Sequence, residues 1–308
     1  MAMMARRKSK RGAGPSAGHR ELPPYLERLG IQPRKALGQN FLIDELTLTE
    51  IAEATRVPGI ETVLEIGAGP GGLTEELIER FSTVVAIEID EELAEITRRR
   101  LGGGGGLTVI AADILEFNAR DLLTEAGAGA PYVVAGNLPY YITQPIVRKL
   151  LESDPAPERT VVMVQRQVAR RMVGGDGRES LLSMSIKFYG TPRALFDVPS
   201  SSFWPQPKVD SAVVAIDRLA EPPVPITAEE QDSFFELLRA GYASPRKQLH
   251  NVLPGVLGIS NAAVGKALYE AGLDPTLRAQ HLDLNDWAVL YATLNERFPG
   301  VLTLREPS

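Results

Sequence analysis

Short apolar runs alternate with stretches of helical periodicity between residues 62 and 188. The apolar runs are rich in Val and Ile and predict buried β-strands at residues 62–66, 83–87, 107–111, 132–135 and 160–164. Helical periodicity predicts helices at residues 73–81, 91–101, 118–126, 168–173 and 179–188. Because only a helix-length connection returns the chain to the same end of a sheet, this alternation predicts a doubly wound, Rossmann-like α/β fold with its ligand at the carboxyl ends of the strands.

The flanking regions follow other patterns. A helix is predicted to begin after Asp44, with one apolar face formed by Leu46, Leu48, Ile51 and Ala52. Residues 193–198 and 212–216 predict an antiparallel pair of strands at the edge of the sheet, and the five glycines at 102–106 predict a flexible loop without function. The predicted parts are a basic disordered arm over 1–30, an α/β domain over 31–218, a proline-rich linker over 219–227 and a small all-helical domain over 228–308.

Composition limits the classes of function. With 308 residues, 44% of them hydrophobic, the chain can bury the cores of two domains. No apolar run approaches the roughly 20 residues that span a bilayer, and the basic start lacks the apolar stretch of a secretory signal, so we expect a cytoplasmic protein. The absence of cysteine excludes thiolate chemistry, and the three histidines stand too far apart in sequence for a local metal motif. We therefore expect no metal, and a monomer is the default.

Charge is the second constraint. The net charge of −6 argues against a uniformly basic nucleic-acid-binding protein but leaves room for local basic patches. Residues 1–20 contain basic side chains and no Asp or Glu, which is typical of a solvated arm.

A glycine-rich loop, residues 67–72 (GAGPGG), stands between the first predicted strand and the next helix. Without Cβ atoms, Gly67 and Gly69 can turn sharply and come close to a ligand. The spacing also fits the G-x-G-x-x-G fingerprint of dinucleotide-binding proteins. Taken alone, the loop indicates either a nucleotide site or only a tight turn.

Carboxylates end the next two predicted strands. Glu88 follows the glycines by about 20 residues, where a carboxylate can accept both ribose hydroxyl hydrogens. Asp113 stands at the end of the third strand, where a carboxylate can accept from an adenine amino group. The two acids fit NAD and S-adenosylmethionine equally well.

The stretch VVAGNLPYYIT, residues 133–143, separates the two cofactors. A nicotinamide enzyme would need a hydride path and usually a proton donor here. The Asn137 side-chain oxygen and the Leu138 carbonyl can instead each accept one N–H of an adenine N6 amine. Pro139 fixes the backbone, and Tyr140 offers a face for stacking the base. This suits transfer of a methyl group to an exocyclic amine without a strong base. The alternative is a proline turn whose aromatic residues pack locally, which is all that we expect of Tyr141.

Eight ordered motifs resemble those of the small-subunit (16S) ribosomal RNA adenine N6,N6-dimethyltransferases. They are RKALGQNFLID (34–44), VLEIGAGPGGLT (63–74), VVAIEID (84–90), AADIL (111–115), GNLPYYIT (136–143), VQRQVARRMV (164–173), SSFWPQPKVDSAVV (201–214) and SPRKQLHNVL (244–253). The resemblance implies a class I methyltransferase sheet and S-adenosyl-L-methionine as cofactor. It also implies dimethylation of two adjacent adenosines near the 3′ end of 16S rRNA, within immature 30S particles during ribosome biogenesis.

The resemblance assigns roles to individual residues. It implies a cofactor site formed by Asn40, Leu42, Gly67, Gly69, Glu88, Asp113 and Asn137. It implies a catalytic set of Asn137, Leu138, Pro139 and Tyr140, with Phe203 as the second aromatic that sandwiches the base opposite Tyr140.

Basic side chains are the candidates for RNA contact. Arg166, Arg170 and Arg171 have helical spacing that puts at least two of them on one face, and Arg246 with Lys247 is predicted to open a helix of the second domain. The alternative is solvated helix surface. If they contact phosphates, complex formation falls steeply with salt.

The chain departs from the family pattern at three positions. Where the family usually has Lys and then an acid, this chain has Arg166 and Gln167, and Leu37 replaces the usual Phe before GQNF. Arg binds phosphate in a bidentate manner, so we expect no loss of RNA binding.

Two other classes of function stay open on the sequence. One is a DNA adenine N6-methyltransferase or a large-subunit rRNA methyltransferase of the macrolide-resistance type. The DNA enzymes typically carry Pro where this chain has Leu138, and the long C-terminal part favours the small ribosomal subunit. The other class is a non-catalytic assembly or transcription factor on the same fold, against which the intact glycine loop, acids and Asn-Leu-Pro-Tyr argue.

Overall fold

A seven-stranded sheet forms the centre of the α/β part. The structure, a computed structural model, describes residues 24–174 and 177–302, without the side chains of Pro24, Tyr25 and Lys35. The strands are β1 (Phe41–Leu42), β2 (Thr62–Ile66), β3 (Thr83–Glu88), β4 (Leu107–Ala111), β5 (Val133–Asn137), β6 (Arg159–Gln165), β7 (Gly190–Val198), β8 (Phe203–Trp204) and β9 (Ser211–Arg218).

The order of strands in the large sheet is β4-β3-β2-β5-β6-β9-β7, and β1 pairs with β8 in a separate two-stranded sheet. β2 to β6 run parallel, whereas β9 is antiparallel to both of its neighbours, β6 and β7. The predicted parallel sheet with an antiparallel edge is therefore confirmed. The reversal of strand order between β2 and β5 opens a crevice at the carboxyl ends of these strands, where ligands bind in open α/β sheets.

Helices cover both faces of the sheet and form the C-terminal part. They are α1 (Pro24–Arg28), α2 (Glu45–Thr55), α3 (Gly72–Ile78), α4 (Glu91–Leu101), α5 (Ala119–Glu125), α6 (Thr143–Leu151), α7 (Arg166–Val173), α8 (Leu181–Tyr189), α9 (Gln231–Tyr242), α10 (Leu249–Leu257), α11 (Asn261–Glu270) and α12 (Leu284–Arg297). Within the described ranges no single helix is long and apolar enough to cross a membrane, and α10 with α11 reaches that length only as a pair bent by 119°.

The apolar runs form the central strands because helices cover them on both faces. Val133, Val134 and Ala135 of β5 are all fully buried, which explains why the run is continuously apolar rather than alternating. The sheet then has one core cluster on each face, one containing Leu64 and Val134 and the other containing Val63 and Val133.

Three of the departures from the predicted elements concern α2, α6 and the start of the chain. Leu46 is 68% exposed, so the buried face of α2 contains only Leu48, Ile51 and Ala52 of the predicted set. α6 was not predicted, because its first turn, Thr143-Gln144-Pro145, has the composition of a turn.

The third departure concerns the start of the chain. Residues 24–30 of the predicted arm contain α1, and Leu26 is fully buried beside Ile31, Phe41 and Leu93. An apolar anchor therefore fixes this end of the predicted arm, and residues 1–23 lie outside the described part of the chain.

The C-terminal helices have their own core around Trp287, Phe234 and Leu253. Val224 and Ile226, within the predicted linker, are buried in this core at 5% and 7% exposure. One helix belongs to both parts: on α8, Leu182 and Ile186 pack in the sheet core, while Met184 and Phe188 pack in the helical core. The division into an α/β domain and a helical domain stays a prediction, and α8 joins the two packed regions.

Candidate active site

The carboxyl ends of the parallel strands surround one cleft. It contains about 770 Å³ of space, part of which is open to solvent. Nine of the sequence-predicted site residues line it: Asn40, Gly67, Gly69, Glu88, Asp113, Asn137, Leu138, Pro139 and Tyr140. The structure thus brings together residues that are up to 100 positions apart in the chain.

The glycine loop forms one wall of the cleft with its bare backbone. Gly67 and Gly69 have backbone φ angles of +77° and +55°, which residues other than glycine rarely adopt. A Cβ atom on Gly67 would stand 3.4 Å from the Asn137 carbonyl oxygen, and one on Gly69 would stand 3.4 Å from the Phe41 ring. The loop therefore leaves a narrow space that a side chain would fill, as the close approach of a ligand requires.

Two carboxylates stand beside the loop. Glu88 is 6% exposed, and its two oxygens accept from the backbone N–H groups of Gly69 at 2.8 Å and Asp90 at 2.9 Å. Burial raises the pKa of Glu88, while these hydrogen bonds favour its charged form. Asp113 accepts from the backbone N–H of Leu115 at 2.9 Å. Both acids are thus held in place and keep lone pairs for hydroxyl or amino donors.

Asn137, at the end of β5, has its amide group oriented by the backbone of a distant segment. Its Nδ2 donates to the Asn40 carbonyl oxygen at 3.1 Å. Since a carbonyl can only accept, the NH₂ group must face Asn40 and the Oδ1 atom must face away from it. Asn40 is held in turn by its own Nδ2, which donates to the Gly38 carbonyl at 2.9 Å. The orientation of the Asn137 amide is therefore fixed before a substrate arrives.

Tyr140 stands three residues beyond the end of β5 and lines the cleft. Its hydroxyl lies 2.8 Å from the Oγ atom of Ser211. Burial raises the pKa of Tyr140, so its phenol is neutral at ordinary pH and cannot act as a charged base.

The N-terminal segment, residues 34–42, covers one side of the cleft. Asp90 holds this segment against α4 through two contacts. Arg34 Nη1 lies 3.1 Å from Asp90 Oδ1, and Gln39 Nε2 donates to Asp90 Oδ2 at 2.9 Å. Asp90 is 3% exposed and also accepts from the Glu92 N–H at the start of α4. The sequence did not reveal this contact, because it joins positions more than 50 residues apart.

Leu42 and Phe203 do not line the main cleft. Leu42 borders a smaller adjoining cavity that shares Phe41, Gly67 and Asn137 with the cleft. Phe203 is 3% exposed and packs in the core on one face of the sheet, where β8 pairs with β1. In this arrangement no face of the Phe203 ring is open to a base, so its predicted sandwich with Tyr140 requires the ring to leave that core.

Tyr141 differs from its expected packing role. It is 60% exposed at the rim of the cleft, and its ring lies 3.4 Å from the point where a Cβ on Gly38 would stand. The sequence did not reveal this exposure, because the continuously buried run of β5 ends at Asn137 and the turn that follows has no periodic pattern.

The candidate RNA contacts lie outside the cleft on exposed surface. Arg170, Arg246 and Lys247 make no ion pair with another described residue. Arg166 is different, because its Nη1 lies 3.2 Å from Asp210 Oδ2. Contrary to the prediction, Arg246 and Lys247 form the turn before α10, which begins at Leu249.

Arg171 and Arg278 are two further cations that form no ion pair in the described ranges. Arg171 follows Arg170 on α7, and Arg278 lies beside the segment that contains Arg246 and Lys247. The Ser180 hydroxyl donates to the Arg171 carbonyl at 3.1 Å, and Arg278 forms an isolated backbone bridge with Gln248. We call Arg170, Arg171, Arg246, Lys247 and Arg278 the basic surface.

A buried acid lies behind the glycine loop. Glu65 of β2 is fully buried, and neither of its carboxylate oxygens has a hydrogen-bond partner within the described ranges. Burial raises the pKa of Glu65 to about 7; the nearby Thr74 hydroxyl acts in the opposite direction, and the charge of Glu88 adds a smaller increase.

The fold and the site together define a class I methyltransferase. The strand order, the glycine loop, the acid after the second parallel strand and the Asn-Leu-Pro-Tyr turn all meet at one cleft. A family model described as ribosomal RNA adenine dimethylase matches residues 30–296. The chain belongs to the ribosomal RNA adenine dimethylase family, and the protein is an rRNA adenine dimethyltransferase.

Individual relatives agree with this family. The chain is 38% identical over 271 residues to the ribosomal RNA small subunit methyltransferase A of Dehalococcoides mccartyi, covering 88% of this chain and 91% of the relative. It is 38% identical over 272 residues to the protein of the same name from Moorella thermoacetica, covering 86% and 93%.

Solved structures show the same fold. The 23S rRNA methyltransferase ErmE is 29% identical and superposes with a TM-score of 0.66 over 83% of this chain and all of ErmE. A dimethyladenosine transferase from Plasmodium falciparum is 24% identical, with a TM-score of 0.68 over 83% of this chain and 98% of the other.

Proposed function

We propose that this enzyme dimethylates the N6 amines of two adjacent adenosines near the 3′ end of 16S rRNA in immature 30S particles. The methyl donor is S-adenosylmethionine, which supplies an electrophilic methyl group when bound. The choice of the small subunit is supported by the names of the relatives in Dehalococcoides and Moorella. The observation that supports the chemistry most directly is the Asn137 amide, whose oxygen is turned away from Asn40.

The cleft fits the proposed cofactor. Gly67 and Gly69 leave room that a Cβ would fill, which suits the methionine part. Glu88 has the acceptor oxygens for the ribose hydroxyls, and Asp113 has those for the adenine amino group. Asn40 would complete the site through the N-terminal segment. Leu42, which lines only the adjoining cavity, would act through packing.

The chain's own residues prepare the target amine. Asn137 Oδ1 and the Leu138 carbonyl each accept one of its hydrogens, which turns the nitrogen lone pair toward the methyl group. The two oxygens also stabilise the positive charge that develops on nitrogen. Because the amine attacks as a neutral nucleophile, its proton can leave to solvent afterwards. The main contribution of these residues is to hold the reacting atoms in line.

The basic surface would hold the RNA through its phosphates. Its cations have no described ion-pair partner to displace, so contact with phosphate does not first require a salt bridge to break. Selectivity would then come from the shape of the RNA and from the flipped adenosine on Tyr140.

The test uses labelled S-adenosylmethionine and immature 30S particles from a strain that lacks the dimethylation. We expect label on N6,N6-dimethyladenosine near the 3′ end of 16S rRNA. Fully dimethylated mature particles are the matched control and should take up no label. Label only on DNA would refute the proposal.

One second candidate substrate is 23S rRNA, because ErmE shares the fold and 29% of the aligned residues. Naked 23S rRNA is therefore included in the same assay. Label on 23S rRNA with none on the small-subunit particle would favour this candidate over the 16S substrate.

A further inference from the structure

Ser211 contacts the active-site residue Tyr140 from across the sheet. It is the first residue of β9 and is fully buried, and its Oγ atom lies 2.8 Å from the Tyr140 hydroxyl. β6 separates β5 from β9, and Gln165 of β6 is the partner of Ser211 in the strand register. The Tyr140 side chain therefore reaches over the end of β6 to meet Ser211.

The chain around Ser211 is itself held firmly. Asp210 Oδ1 accepts from the Ser200 backbone N–H at 3.0 Å, and Asp210 Oδ2 lies 3.2 Å from Arg166 Nη1. The Asp210 carbonyl also accepts from the Arg166 backbone N–H at 3.0 Å. These contacts tie residue 210 to the start of α7, so the hydroxyl of Ser211 is a fixed point against the cleft.

A tyrosine ring has two side-chain rotations, about χ1 and χ2, and a hydrogen bond at its far end restricts both. A base stacks well only on a ring whose plane is already set, because ordering the ring during binding reduces the gain from stacking. The phenol of Tyr140 is neutral, so its hydroxyl can donate to the Ser211 oxygen or accept from it.

We propose that Ser211 is a positioning residue for methyl transfer, holding the Tyr140 ring in the plane on which the target base stacks. The inference rests on the proposed function, because Ser211 acts only through the stacking role of Tyr140. Asp210 and Arg166 would then contribute indirectly, because their contacts hold the chain at Ser211 in position.

A double-mutant cycle tests the pair. Tyr140→Phe keeps the ring and removes its hydroxyl, whereas Ser211→Ala removes the partner. Each should lower kcat on immature 30S particles by about tenfold, the size expected for one hydrogen bond, with the affinity for S-adenosylmethionine unchanged. The double variant should also lose about tenfold, because all three variants lack the same bond.

Ser183→Ala is the matched control, since Ser183 is equally buried and hydrogen-bonds within the start of α8. It should lower the melting temperature and leave kcat unchanged. Ser211→Thr keeps a hydroxyl on the strand and should restore most of the rate. A merely structural role would give losses that multiply in the double variant, and this would overturn the inference.

The wild-type reaction distinguishes this inference from the proposed function. If the wild-type enzyme leaves the small-subunit particle unlabelled, the proposed substrate is wrong. If it labels the particle and Ser211→Ala does so at the same rate, the role of Ser211 is wrong. Should Ser211→Ala fail to fold, Tyr140→Phe still measures the bond, and wild-type kcat in that variant would overturn the inference.

Discussion

At the scale of single residues, the orientation of the Asn137 amide is the feature on which the proposed chemistry depends. The motif Asn-Leu-Pro-Tyr could be interpreted from the sequence, because its residue types suit an adenine amine. The contacts that orient it could not, since the Asn40 carbonyl is 97 positions away and the Ser211 hydroxyl is 71 positions away from their partners. Backbone carbonyls and buried serines carry no motif of their own.

Asn137→Ala should reduce methyl transfer by about 100-fold or more, the size seen when one stabilising hydrogen-bond group is removed from an active site. Binding of S-adenosylmethionine should stay detectable, because Gly67, Glu88 and Asp113 are unchanged. Single-turnover assays and calorimetric titration measure the two quantities. Asn295→Ala, on α12, is the control. Near-normal turnover of Asn137→Ala would contradict the mechanism.

Glu65 predicts a pH dependence of stability. Its pKa rises from 4.5 to about 7 on folding, so between these values the folded state keeps a proton that the unfolded state has released. Stability therefore falls as pH rises through this window, by an amount on the order of 3 kcal/mol at most. Glu65→Gln removes the titration.

The difference in melting temperature between Glu65→Gln and the wild type should thus increase from pH 5 to pH 7.5 in favour of the variant. Thermal melts across this range measure it. Glu61→Gln, at an exposed acid just before β2, is the control and should show no such trend. A difference that is constant with pH would show that Glu65 does not titrate in this window.

At the scale of elements, the N-terminal segment forms one side of the candidate active site although it contributes no strand to the large sheet. Leu37, Gly38 and Gln39 line the cleft, yet the segment is joined to the rest mainly through Asp90 and the short β1–β8 pair. Any ligand in the cleft must therefore be enclosed by a segment that these polar contacts and the packing of Phe41 and Leu42 hold in place.

Asp90→Asn should weaken binding of S-adenosylmethionine by about three- to tenfold, since it removes the charge that pairs with Arg34. Asn caps a helix as well as Asp does, so α4 should keep its start. Calorimetric titration measures the affinity, and circular dichroism checks the fold. Glu95→Gln, which breaks exposed ion pairs on the same helix, should leave the affinity unchanged.

The predicted elements are confirmed where the apolar or helical pattern is continuous, and the structure differs from expectation where long-range packing decides the position of a side chain. The run Val133–Asn137 forms a strand because every position but the last is buried, and helices at 91–101 and strands at 62–66 lie where they were predicted. Phe203 has the residue type of a stacking aromatic, but its location in the core depends on β1, which the sequence did not predict as a strand. Tyr141 is the opposite of Phe203: it was expected only to pack locally, but the structure exposes it at the rim of the cleft.

At the scale of the whole molecule, a chain with a net charge of −6 carries a local cluster of cations that form no ion pair within the described residues. The basic surface combines residues of α7 with two segments of the helical part, so neither part contains it alone. Its position, unlike the sign of the net charge, could not be deduced from composition.

Neutral substitution of Arg170, Arg246 and Lys247 by Gln should weaken binding of immature 30S particles. It should also make the salt dependence shallower, by about 0.7 to 0.9 in the log–log slope for each phosphate that is no longer neutralised. Binding titrations between low and moderate salt measure the slope. Arg120→Gln, at an exposed arginine paired with Asp154, is the control. A slope equal to that of the wild type would show that these residues do not bind phosphate.

The two apolar faces of α8 have a consequence for which RNAs can react. Because Leu182 and Ile186 pack on the sheet while Met184 and Phe188 pack among the C-terminal helices, moving Arg246, Lys247 and Arg278 relative to Tyr140 would disturb one of these two cores. The enzyme would then select RNA by the distance between the phosphates that it binds and the adenosine that it methylates. An RNA that seats its phosphates on the basic surface delivers an adenosine to the cleft only if its own folded length matches that fixed span.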